Sequence, residues 1–277
     1  MRKELEGEIN EGKEMSFFDH LEELRWHLFR SVVVVLVFAF VAFIFKRIVF
    51  EVIILGPKDP NFITNELLCR LGQLMGKDIL CINSFPLEII NTTMAGQFLT
   101  HIRISMIGGF LLAFPYIIFE VWKFVRPALY NKEQKVAGYT IFAVNILFFV
   151  GVLIGYFLIV PLSINFLGKY NVSNSVNNLI NLSSYISNIS SICFAAGIVF
   201  ELPVLAYFLS KLGLITPQFM RKYRKHAFVV ILVLSSILTP PDVMSQILIA
   251  LPLVLLYEFS IRISKHVINK KSLEGND

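Results

Sequence analysis

Charge is scarce in this sequence. Asp, Glu, Lys and Arg make up only 16% of the 277 residues, against about 25% in a soluble domain. Cysteine is also scarce. Cys69, Cys81 and Cys193 form no C-x-x-C pair, which argues against a zinc ribbon or a thioredoxin-type centre. No zinc motif, no Gly-x-Ser-x-Gly elbow and no paired aspartates within an apolar run occur. An intramembrane enzyme therefore ranks last among the readings, and no catalytic residue, metal or cofactor is expected. No small-residue cleavage site follows the first apolar run, so that run is expected to remain as a membrane helix instead of a cleaved signal. Internal repeats are missing as well: the proline-bearing apolar segments do not pair between two halves, as the broken helices of an inverted-repeat transporter would.

Apolar residues are abundant instead, at 56%, with 26 phenylalanines. They gather in long uncharged runs such as Ser31-Val-Val-Val-Val-Leu-Val-Phe-Ala-Phe-Val-Ala-Phe-Ile-Phe45, which a bilayer requires and a soluble core does not. The fold class expected is an all-α polytopic membrane protein with six transmembrane helices. Spans are expected at about 30–50, 102–122, 137–160, 188–210, 227–238 and 243–261. Residues 1–15 read as a polar disordered N-terminus, 16–265 as a single transmembrane domain, 51–100 as a periplasmic segment within it, and 266–277 as a charged cytoplasmic tail. Ser16 to Arg30 read as an amphipathic helix running straight into the first span, with Ser16 as N-cap. Pro115, Pro203 and Pro252 fall inside spans, and Pro161 closes the third. The fifth span is short: its residues rise roughly 18 Å against a hydrocarbon core of about 30 Å.

The net charge of +5 does not point to nucleic acid, because the basic residues flank apolar runs and form no single patch. With the N-terminus inside, 18 of the 25 Lys and Arg residues fall on the cytoplasmic side. That bias predicts both ends in the cytoplasm.

Four segments carry more than membrane character. They are His20-Leu-Glu-Glu-Leu-Arg25, Phe124-Val-Arg-Pro-Ala-Leu-Tyr-Asn-Lys-Glu133, Phe200-Glu-Leu-Pro203 and Leu238-Thr-Pro-Pro-Asp-Val-Met-Ser-Gln246. Singly, three of them have plain readings as an acidic helix start, a solvated loop and a proline turn. Glu201 does not, since a carboxylate deep in a span is costly and usually functional.

In this order the four resemble the TatC family, the large core subunit of the twin-arginine protein translocase, over about residues 16–265. The resemblance implies six helices forming a concave bundle, and a receptor for signal peptides with two consecutive arginines. It also implies small single-span partners of the TatA and TatB type, precursor proteins as cargo, several copies of the chain per complex, and export of folded proteins driven by the proton gradient. The expected location is a bacterial inner membrane or an organellar inner membrane. Glu23 and Glu133 match the family's cytoplasmic carboxylates, which suit the always-charged planar fork of arginine. Arg25 and Phe124 match other positions of that site. Glu201 and Pro203 match the intramembrane acid and its kink, expected to contact a partner helix. Pro240, Pro241, Asp242 and Gln246 match the periplasmic turn. The chain departs from the family at Asn181, where Asp is frequent, and in a long stretch from Pro57 to Ser84 holding Cys69 and Cys81. Those two cysteines are either bridged or unpaired. The rival function is a proton-coupled small-solute transporter using Glu201, Glu120 and Glu258.

Overall fold

The computed structural model describes residues 17–74, 88–126, 137–171, 173, 179–211, 213–238 and 243–274. Helix α1, Phe17–Ile44, joins the amphipathic start and the first apolar run without a break. A π-helical turn at Ile48–Ile54 and a 3-10 turn at Gly56–Lys58 lead to α2, Ile63–Leu74. Helix α3 is Gly96–Val125, followed by α4, Ala137–Ile154, a π-helical turn at Gly155–Ile159, and α5, Val160–Lys169. Helices α6, Leu182–Val199, and α7, Leu202–Lys211, are nearly continuous. The short α8, Pro217–Lys222, precedes α9, Arg224–Leu238, and α10, Val243–Glu274.

Among the described residues, four stretches are long and apolar enough to cross a bilayer: Leu21–Ile44, Gly96–Val125, Thr140–Lys169 and Leu182–Lys211. Their outer faces carry bare apolar side chains, such as Phe40 at 66% and Leu28 at 63% exposure. Such faces would be liabilities in water and suit lipid. The protein is a polytopic helical membrane protein.

Several boundaries differ from the sequence expectation. The second span starts at Gly96 instead of 102, and the fourth helix at Leu182 instead of 188. Pro161 does not close the third span. It sits in the first turn of α5, and the helix continues to Lys169. A wider π turn stands just before it, with Val160 N–H donating to the Gly155 carbonyl, and proline is tolerated in a helix's first turn. The last helix runs to Glu274, through most of the expected tail. Helix α9 draws three residues from the basic loop, and its 15 residues still rise only about 22 Å.

The core centres on α6. Tyr185, Ile186, Ile189, Ile192, Cys193 and Ala196 pack with Ile54, Ile104, Ile159, Ile231 and Leu253 from surrounding elements. Glycine lets α4 approach α6. A Cβ on Gly151 would lie 2.7 Å from the Ala196 carbonyl, and one on Gly155 would lie 3.1 Å from the Cys193 Cα. The Gly151-x-x-x-Gly155 spacing is thus a close helix contact.

The segment after α1 is tied to the bundle by hydrogen bonds from tyrosines. Tyr156 Oη donates to the Ile53 carbonyl at 2.6 Å, and Tyr185 Oη to that of Ile54 at 2.9 Å. A feature absent from the sequence reading is a two-residue parallel ribbon, β1 (Ile89–Ile90) with β2 (Ile180–Asn181). Asn181 then caps α6, accepting from Ser183 N at 2.9 Å, and its Nδ2 donates to Thr92 Oγ1 at 2.7 Å. In α2, Cys69 is disulfide-bonded, whereas Cys193 is a buried free thiol. Cys81 lies outside the described residues.

Candidate functional site

Helices α1 and α3 run antiparallel and share the most extensive helix–helix contact of the protein. Near its middle the backbones nearly touch: a Cβ on Gly109 would fall 2.6 Å from Ala39 N. Some eleven to twelve residues along each helix, at the end nearer the N-terminus, the same interface becomes polar. His27 Nδ1 hydrogen-bonds the Glu120 carboxylate. Glu120 is 1% exposed, with the Tyr116 hydroxyl nearby and Lys123 Nζ at 3.8 Å. Helical spacing explains the gathering: 116, 120 and 124 share one stripe of α3, as do 23 and 27 on α1. The His27 ring stands edge-on to Phe124, 6.2 Å between centroids.

One turn before His27 lies Glu23. It is half-buried, and its Oε2 is buried with no hydrogen-bond partner among the described residues. Its neighbour Glu22 differs, being exposed and held by Arg25 at 3.3 Å. The Arg25 guanidinium also lies 5.9 Å from the Trp26 ring. The α1–α3 end therefore offers one carboxylate oxygen without a partner among the described residues.

A second carboxylate stands apart from this end. The break between α6 and α7 falls at Phe200 and Glu201, because Pro203 in the first turn of α7 has no N–H to continue the ladder. The Glu201 carbonyl accepts from both Val204 and Leu205 at 3.0 Å. Its side chain is half-buried, and Oε1 is buried without a partner among the described residues. An apolar cleft of about 270 Å³ opens two residues on, lined by Thr140, Leu147, Pro203, Tyr207, Phe259 and Ile263, among others. Across the bundle, Gln246 Nε2 donates to the Leu232 carbonyl at 3.0 Å, joining α10 to α9.

The family model for Sec-independent protein translocase protein (TatC) matches residues 19–252. The chain belongs to the TatC family. A TatC from Blattabacterium sp. subsp. Periplaneta americana is 42% identical, over 95% of this chain and 99% of that one. One from Aquifex aeolicus is 33% identical, over 93% and 98%. A crystal structure of the twin arginine translocase receptor TatC in DDM aligns with a TM-score of 0.66 at 33% identity, covering 88% of this chain and 99% of the other.

Of the TatC-type motif residues, the structure brings Glu23 and Phe124 to one end of the α1–α3 interface, with Arg25 turned to Glu22. Glu133, Pro240, Pro241 and Asp242 lie outside the described residues. Sequence reasoning missed His27 and counted Glu120 only as a transporter group. The available signal was spacing: His27 is four residues from Glu23, and Glu120 four from Phe124. Two of the three acids of the transporter reading have separate partners. Glu120 pairs with His27, and Glu258 with Arg224 at 2.9 Å. That reading finds no support.

Proposed function

We propose that this subunit of a Sec-independent protein translocase is its receptor for signal peptides bearing an arginine pair, and the core on which small single-span TatA- and TatB-type subunits assemble. The carrying observation is the buried Glu23 Oε2 that accepts no hydrogen bond among the described residues. An unsatisfied buried acceptor costs about 1–3 kcal/mol. An arginine N–H from a ligand removes that cost and adds a charge-assisted bond, whereas lysine lacks the planar fork. Glu133 is the second carboxylate of this proposal, Phe124 packs against the ligand's aliphatic stem, and Arg25 holds Glu22 out of competition. Glu201, with a free oxygen at a kink beside an apolar cleft, accepts a polar group from a partner helix. The setting is a bacterial inner membrane with six spans in a concave bundle, both ends cytoplasmic, and export of folded cargo driven by the proton gradient.

Photo-crosslinking tests this reading. A precursor with a crosslinker beside its arginine pair is mixed with membranes containing this chain. Adducts at α1 and around Phe124 are expected, and their loss when the arginines become lysines. Equal adducts from both precursors contradict the assignment.

A further inference from the structure

We propose that the buried His27–Glu120 pair is a positioning element that confers arginine-over-lysine selectivity on the Glu23 carboxylate; this rests on the receptor reading above. On its own helix Glu120 has the Tyr116 hydroxyl nearby and Lys123 at 3.8 Å. Those two lie on α3 itself, so among the described residues His27 is the partner that ties it to another helix. Its effect is to fix the rotation of α1 about its own axis against α3. Glu23 sits one turn before His27, on the same face, and Phe124 one turn beyond Glu120. The imidazole meets α3 twice, bonding Glu120 and standing edge-on to Phe124. Ser31 Oγ adds a bond to the His27 carbonyl at 2.9 Å. Farther along the interface, Gly109 meets the Ala39 backbone and the Phe43 ring stacks on His101, 4.0 Å between centroids. At the Glu23 end the histidine supplies the angular reference.

Angle matters for one ligand and not for the other. A guanidinium donates two parallel hydrogen bonds from a rigid plane, so a rotated carboxylate loses one of them. An ammonium is a compact charge with freely turning donors and tolerates the rotation. Loosening α1 therefore lowers arginine affinity first and leaves attraction for cations in place. A merely structural loss would weaken both ligands alike.

The test uses the purified full chain and two synthetic signal peptides, identical except for an arginine or a lysine pair. Glu120→Ala is expected to weaken the arginine peptide about tenfold, as loss of one charged hydrogen bond does, with the lysine peptide little changed. Glu120→Gln keeps an acceptor for His27 and keeps the preference. Glu23→Ala/Glu120→Ala binds no worse than Glu23→Ala alone, because both act through one carboxylate. If Glu120→Ala does not accumulate, His27→Ala carries the same comparisons, since it leaves Glu120 with Tyr116 and Lys123. Wild-type preference in the alanine variant, loss of preference in Glu120→Gln, or losses that add in full to that of Glu23→Ala, overturn the positioning role and leave the receptor reading standing. If Glu23→Ala alone binds the arginine peptide normally, the receptor reading falls and takes this one with it.

Discussion

Glu22 and Glu23 are neighbours in sequence with opposite circumstances. One is exposed and neutralised by Arg25, and the other is half-buried with a free oxygen. The difference comes from helical phase: only Glu23 shares a face with His27 and meets α3. The sequence motif already singled out Glu23, by resemblance, but it could not reveal the free oxygen, which depends on how α1 sits against α3. Asn181 illustrates the reverse. Its place as helix cap and ribbon anchor suits an amide, which both accepts from Ser183 and donates to Thr92. An aspartate there could only accept, so the threonine hydroxyl would have to turn and donate. Glu201 was legible as anomalous because membrane carboxylates are rare. Its Oε1 lacks a partner among the described residues, which leaves an acceptor for a partner helix to fill. Glu201→Ala is expected to accumulate normally in the membrane and to lose co-purification of single-span subunits. Disappearance of the protein, or normal transport with partners bound, would contradict the assignment.

Elements were read better in their existence than in their ends. Apolar runs announce spans, but prolines mislead about where helices stop. Pro161 looks like a terminator and instead sits in the first turn of α5, directly after a π turn. Helix contacts depend on small residues whose value shows only in three dimensions. Gly109→Leu would drive a side chain into the Ala39 backbone and is expected to destabilise the protein by about 1–3 kcal/mol. Thermal unfolding in detergent reads this out, with Gly138→Ala as the comparison. Nothing lies within 4 Å of a Cβ at Gly138, so that change is expected to be neutral or mildly stabilising. The cysteines allow an equally direct check. Cys69 is bonded and Cys193 free, so thiol labelling in denaturant without reductant should tag Cys193 alone. After reduction, Cys69 and Cys81 should become reactive. Labelling of Cys69 before reduction would contradict the bridge.

At the scale of the molecule, the apolar outer faces and the disulfide in the segment after α1 agree with the charge bias. Disulfides persist on the oxidising side of a bacterial membrane, and the basic loops are expected on the other. Reporter fusions after Asn178 should read periplasmic, and fusions after Gln218 or Glu274 cytoplasmic. A cytoplasmic signal at Asn178 would overturn the proposed six-span arrangement. The fold class was open to sequence because bilayer thickness dictates run length. The ribbon between β1 and β2 joins residues far apart in the chain, and no periodicity announces it. For the His27–Glu120 tie, helical spacing marks the two faces but not their pairing across 93 residues.

The central claim is that the Glu23 carboxylate at the α1–α3 end selects arginine. It is tested most directly by titrating purified protein with the arginine-pair peptide, comparing wild type, Glu23→Gln and Glu23→Ala. Loss of a charged hydrogen-bond partner is worth about 1.5–3 kcal/mol, or roughly a 10- to 150-fold weakening. The account predicts a loss of this size for Glu23→Ala. A smaller loss is expected for Glu23→Gln, which keeps the acceptor without the charge, and lysine-peptide binding should already be weak in the wild type. Unchanged affinity in Glu23→Ala, or equal binding of both peptides by the wild type, would contradict it.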